Sequence, residues 1–166
     1  MRTDFLGLFA TLNSARVPYV VVGGLALLLH GVDRVTADVD LVTDLATGAT
    51  RDLINALTAA GYRPVAPVDP ALLADSTIRD QWRTERNMEV FSLWDTTNRG
   101  PTLDVLLSSP VPFADLQRDA LTVTLDGVPV TVASVAHLIA MKQNTARPRD
   151  LEDVQRLRVL QSGAKK

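Results

Sequence analysis

The chain of 166 residues contains no cysteine, which excludes disulfides and thiolate metal sites. Aromatic residues are scarce, two Trp, two Tyr and four Phe, so the core must be built mainly from aliphatic side chains. Only two histidines are present, His30 and His137. Neither has a partner at metal or catalytic-triad spacing, and both read as structural. Neither sign of charge dominates: 17 Lys and Arg stand against 19 Asp and Glu, a formal net charge of -2. No global field therefore pulls the chain toward nucleic acid or an anionic membrane. Long apolar runs are missing too. The longest uncharged stretch, Val17–Val32, is broken by Pro18, Gly23 and Gly24 and falls short of the roughly 20 residues a spanning helix needs. The opening MRTDFLGLFATLNSAR is interrupted by Asp4 and has no small-residue cleavage pattern, so it reads as an amphipathic helix and not a signal peptide. A cytoplasmic protein with no membrane partner is expected.

What is present alternates between helix and strand signals. Residues 1–17 are expected as a helix with Phe5, Leu8, Phe9 and Leu12 on one face. Tyr19–Val22 reads as a buried strand, Gly23-Gly24 as a turn, and Leu25–His30 as a short helix stopped by Gly31. Asp38–Thr43 alternates as a strand. Thr47 is the expected N-cap of a helix closed by Gly61, followed by a strand over Tyr62–Val65. Asp69-Pro70 opens a further helix to about Arg83. Met88–Trp94 and Thr102–Leu107 read as an antiparallel pair. Leu121–Leu125 and Val128–Val132 flank Asp126-Gly127, a two-residue hairpin signal. Ser134 caps a helix to about Thr145, Arg147-Pro148 breaks the chain, and a last helix carries Leu151, Val154, Leu157 and Leu160. Together these predict one α/β (α+β) domain over 1–166: a mixed β-sheet core over 18–132, C-terminal helices over 133–160, and a tail over 161–166.

The chemistry concentrates in VVGGLALLLHGVDRVTADVDLVTD, residues 21–44. Side chains two apart on a strand share a face, so Asp38 and Asp40 present carboxylates about 6–7 Å apart at the Cα level. Two such groups repel when ionised, and a hard divalent cation would relieve them. The upstream glycines let a backbone approach a ligand closely, and the N–H groups at a helix start favour phosphate. A third carboxylate, Asp104, sits in TLDVLL, where apolar neighbours make a lone charge costly. On a strand beside Asp38 and Asp40 it would complete an acidic triad around one or two metal ions and could accept a proton from an attacking hydroxyl. Taken singly, the bland readings compete well: D-x-D as a solvated strand edge, Gly-Gly as a tight turn, Asp104 as a strand-end aspartate. The combination favours a metal–nucleotide site.

These residues in this order resemble the nucleotidyltransferase superfamily, whose fold is like the core of DNA polymerase β. Gly23, Gly24, Asp38, Asp40 and Asp104 match its pattern. The R-x-T-x-D-x-D form (Arg34, Thr36, Asp38, Asp40) and the ending VASVAHLIAMKQNTARPRDLEDVQRL are similar to small bacterial members related to AbiEii-type toxins. The likeness spans about Tyr19 to Leu160. It implies a nucleotidyltransferase-like fold and Mg²⁺-dependent transfer of a nucleoside monophosphate from an NTP, first of all ATP, to an acceptor hydroxyl on RNA, protein or a small molecule. It also leaves room for a partner protein in a toxin–antitoxin pair. Asp38, Asp40 and Asp104 would bind metal, with Asp104 as base. Gly23 and Gly24 would contact the triphosphate, joined by Arg34, Thr36 and Lys142. Many active members carry Ser after the first glycine; Gly24 departs from that. The alternative on the same fold is an inactive nucleotide-binding or protein-interaction module, and a third reading is a hydrolytic metal site on an unrelated mixed fold. Asp150 reads as a cap of the last helix, with Arg147 or Arg149 as further candidate nucleotide contacts. Trp82 and Trp94 read as packing residues, Trp82 with a stacking platform beside Arg83 and Arg86 as its other reading.

Overall fold

The computed structural model describes residues 4–143, 145 and 147–163; the outermost positions of the expected first helix and tail lie outside them. Apolar alternation builds the centre. On β2 (Asp38–Thr43) Val39 and Leu41 are fully buried, as are Leu103 and Val105 on β5 (Thr102–Leu106). On β4 (Val90–Asp95) Phe91 and Leu93 continue the same apolar face. The register aligns these residues: Val39 with Leu103, Leu41 with Val105, Phe91 with Val105 and Leu93 with Leu103. A one-residue slip would put the carboxylates into that core, so burial fixes the register.

The sheet has seven strands in the order β3-β4-β5-β2-β1-β7-β6, with β3 Tyr62–Pro64, β1 Tyr19–Val22, β7 Val128–Val132 and β6 Leu121–Leu125. Strand β2 pairs parallel with β5 and antiparallel with β1, while β1 pairs parallel with β7. The mixed sheet and single domain follow the expectation. The helices are α1 (Phe5–Ser14), α2 (Gly23–Leu29), α3 (Thr47–Ala59), α4 (Ser76–Arg86), α5 (Phe113–Arg118), α6 (Val135–Lys142) and α7 (Pro148–Gly163). Helix α1 packs on β7 and α3, α2 on β1 and β2, and α6 on α7.

Several boundaries differ from the sequence expectation, each for a local reason. Thr47 is the first residue of α3, not its cap: Ala46 holds that position without a side-chain bond, and the Thr50 hydroxyl donates to its carbonyl. Asp69-Pro70 opens only a 3-10 turn, Pro70–Ala74. Asp75 then restarts the chain by accepting from the Thr77 and Ile78 amides, and α4 runs to Arg86, stopped by Asn87 in the left-handed region at φ 50°. A second strong cap six residues downstream outcompetes the first. Strand β3 is short, ending at Pro64. Helix α6 stops at Lys142, before Thr145, and α7 reaches Gly163. Helix α5 was not signalled by the sequence; at six residues it is too short for a clear period.

Candidate active site

One row of side chains crosses the sheet on the face opposite the apolar one. Ser92 on β4 pairs with Asp104 on β5, Asp104 with Asp40 on β2, and Asp40 with Val22 on β1. Strand β1 ends at Val22, so the chain bends away at Gly23 directly beside Asp40. That bend needs glycine twice over. Gly23 has φ +66°, and a Cβ there would lie 2.0 Å from Asp40 Oδ2. At Gly24 the constraint is milder: a Cβ would stand 3.1 Å from Arg34 Nε and 3.2 Å from Thr36 Oγ1. The space that a serine would fill is thus bordered by Arg34 and Thr36. The two glycines are also the first residues of α2 and not a separate turn before it.

Packing carboxylates together has an electrostatic consequence. The Asp40 carboxyl is pushed up to about 6 from its ordinary 3.8, first by burial and then by the charges of Asp104 and Asp38. A hydrogen bond from the Gly24 N–H and the charge of Lys142 pull the other way. The Gly24 amide is therefore turned to Asp40. Asp104 Oδ1 accepts a 2.5 Å hydrogen bond from Ser92 Oγ. Asp38 lies exposed at the start of β2, on the same face as Asp40, and the Thr36 hydroxyl donates to its carbonyl at 3.1 Å.

No three His, Asp or Glu side chains among the described residues are gathered closely enough to hold an ion by themselves. The sequence expectation of a ready-made acidic triad is reduced to a cross-strand pair with Asp38 at its margin. Such a pair still fits Mg²⁺, which is commonly held by one or two carboxylates together with substrate phosphates. The raised Asp40 carboxyl marks an anionic excess that a cation would relieve.

Beside the row lies a pocket of about 310 Å³. Gly23, Gly24, Asp40, Arg34, Lys142 and Asp150 form its polar side, and Val90, Leu106, Leu138 and Met141 an apolar wall. Of the candidates read from the sequence, Gly23, Gly24, Arg34, Asp40 and Lys142 meet here, along with Arg147. Asp150 lies near the positive end of α7, as expected, but inside the helix and not at the cap position. Its carboxylate, in the first turn, accepts from Lys142 Nζ at 3.0 Å and from Thr145 Oγ1 at 2.7 Å. Burial raises its carboxyl, but these bonds outweigh that and hold it below the usual range.

Other candidates resolve plainly. His30 Nε2 lies 2.7 Å from the Ala133 carbonyl, a structural contact. Trp82 is buried and stacked on Phe91 with ring centroids 5.5 Å apart, so it offers no platform to a base. Trp94, expected to pack, is 41% exposed, on the strand face shared by Ser92. The sequence reading missed Ser92 and Asp153. Each left a faint signal: a polar residue at a sheet-facing position of an apolar strand, and an aspartate one position before core residue Val154.

Comparison with known proteins agrees with the fold. A family profile described as "Nucleotidyltransferase of unknown function (DUF6036)" matches residues 5–162. No curated protein matches the sequence. Among solved structures, the chain resembles the lincosamide antibiotic adenylyltransferase LnuA with lincomycin bound, at TM-score 0.59 and 15% identity over 96% of this chain and 99% of that one. It also resembles ANT(2")-Ia in complex with adenylyl-2"-tobramycin, at TM-score 0.54 and 15% identity over 95% and 92%. An antigenic nucleotidyltransferase-like protein from Paracoccidioides brasiliensis aligns at TM-score 0.55 and 17% identity over 90% and 71%.

Proposed function

Because the chain belongs to this nucleotidyltransferase family (DUF6036) and is an enzyme of that class, we propose that it moves a nucleoside monophosphate from an NTP, ATP first, to a hydroxyl of a small-molecule acceptor. The observation that carries this reading is the row Ser92–Asp104–Asp40 ending beside the Gly23 bend at the mouth of a pocket. Small-molecule acceptors are favoured because one neighbour of the same fold is described as a lincosamide antibiotic adenylyltransferase and another is in complex with adenylyl-2"-tobramycin.

Asp40 and Asp104, with Asp38, are the residues that would hold Mg²⁺. When bound, the ion supplies charge neutralisation and alignment for an in-line displacement at phosphorus. The chain's own residues do the rest. Gly23 keeps the backbone clear of Asp40 and lets the triphosphate approach. Arg34 and Lys142 face its negative charge, with Thr36 bordering the same space. Val90, Leu106, Leu138 and Met141 give the base an apolar wall. Asp104 takes the acceptor's hydroxyl proton through the oxygen that Ser92 does not engage. The acceptor oxygen then bonds the α-phosphorus, the bond from that phosphorus to the bridging oxygen breaks, and pyrophosphate leaves.

The finer likeness to AbiEii-type toxins, and with it a toxin–antitoxin partnership, rests on the R-x-T-x-D-x-D string and the ending of the chain. Tight binding of the product of an adjacent small regulatory gene is the observation that would support it.

The test is label transfer. The protein is incubated with Mg²⁺, each α-labelled NTP in turn, and separated small-molecule, RNA and protein fractions. Label appears on a small molecule, and its rate of transfer falls steeply in Asp38→Asn and Asp104→Asn variants. Label on RNA or protein would replace the acceptor class, and no transfer from any NTP to any fraction would end the reading.

A further inference from the structure

Two of the pocket's three cationic residues, Arg34 and Lys142, are tied to the last helix by ion pairs. Arg34 Nη1 donates to Asp153 Oδ2, across 119 residues of chain. Lys142 Nζ donates to that same oxygen at 2.8 Å and to Asp150 Oδ1 at 3.0 Å. Asp153 is 3% exposed and stands behind the pocket wall, whereas Arg34, Lys142 and Asp150 line it. A carboxylate so deeply buried is tolerable only because two cations share it. The sharing leaves donors over: an ammonium has three N–H groups and a guanidinium five, and the bonds to the two aspartates use two of the first and one of the second.

Long basic side chains lose much rotamer freedom when they close on a ligand, and holding them in place beforehand lowers that cost. Arg34 and Lys142 are 20% and 13% exposed at the side chain, which marks them as already ordered. We propose that Asp153 is a positioning residue for polyphosphate binding: from behind the pocket it fixes Arg34 and Lys142 beside the Gly23-Gly24 bend, so that a phosphate chain meets a preformed pair of cations. The proposal rests on the nucleotide-handling reading above. It adds that α7 is part of the site without touching substrate.

The full chain is titrated calorimetrically with magnesium tripolyphosphate, as wild type and as Asp153→Asn, Asp153→Glu and Leu157→Ala variants. Leu157 is fully buried in the same helix, so its truncation loosens α7 while leaving the charges in place. Wild type binds, Asp153→Asn binds at least tenfold more weakly, and Leu157→Ala binds as wild type despite a lower Tm. Should Asp153→Asn fail to fold, Asp153→Glu decides: it keeps the charge but displaces both cations by a methylene, and loses at least threefold. Wild-type affinity in either folded Asp153 variant, an equal loss in Leu157→Ala, or no tripolyphosphate binding by wild type overturns the proposal. Label transfer in the same preparations reads the proposed function separately. Transfer alongside Asp153-independent binding removes only the positioning role, while Asp153-dependent binding without transfer removes only the function.

Discussion

Asp40 and Asp104 stand directly opposite each other on adjacent parallel strands, close to the 4.8 Å strand spacing at the Cα level. Two carboxylates that near, both half-buried, oppose folding when both are charged. The metal-free protein therefore carries a measurable pH signature. The folded Asp40 carboxyl, at about 6, lies above its ordinary 3.8, so its contribution to stability is complete below about 4 and is lost as pH rises through 6. Between pH 5 and 8 in chelator, wild type should lose about 1 kcal/mol relative to Asp40→Asn, allowing for partial exposure. Urea unfolding at both pH values measures this, and Mg²⁺ at pH 8 should recover part of the loss. Equal slopes for the two proteins would sink the account.

The glycine pair makes an asymmetric prediction. Gly23→Ala places a Cβ 2.0 Å from Asp40 Oδ2 on backbone at φ +66°, and should cost about 1–3 kcal/mol and abolish label transfer. Gly24→Ala meets Arg34 Nε at 3.1 Å, a contact that a side-chain adjustment relieves, and should cost under about 1 kcal/mol. Denaturation midpoints and transfer rates for the two variants, compared side by side, check the ranking.

Part of this site was legible in sequence because its logic is local. Asp38 and Asp40 share a face by strand periodicity alone, and the glycines announce a bend. The placement of Asp104 is not local: it depends on Val39, Leu41, Leu103 and Val105 burying one face in common register, which only the assembled sheet decides. The same holds for Ser92, twelve residues from Asp104, and for Arg34, whose partner lies 119 residues away. Helix starts failed where two capping residues compete, as Asp69 and Asp75 do.

Asp95 anchors the loop after β4 and offers a control far from the pocket. Its carboxylate accepts from the Thr97 hydroxyl at 2.7 Å and from the Thr97 and Gly100 amides at 2.9 and 2.7 Å. Burial raises its carboxyl, yet these bonds together hold it below the ordinary value. The sign is opposite to that of Asp40: its stabilisation is present at neutral pH and fades as pH falls through the folded value. Asp95→Asn should lose about 1–3 kcal/mol at pH 7, less at pH 3, with label transfer by the folded protein unchanged. Chemical denaturation at the two pH values decides it.

Ser92 tests the role given to Asp104. Its hydroxyl fixes one carboxylate oxygen at 2.5 Å, so Ser92→Ala leaves the charge in place but frees the group to rotate. If Asp104 must point one oxygen at the acceptor, kcat should fall about tenfold, equivalent to about 1.4 kcal/mol, while KM for the NTP stays near wild type. Ser92 can act only through Asp104, so adding Ser92→Ala to Asp104→Asn should cost little more than Asp104→Asn alone. Steady-state rates for the two single variants and the double variant complete that cycle. Full additivity would mean that Ser92 serves the reaction by another route and that its bond to Asp104 is merely structural.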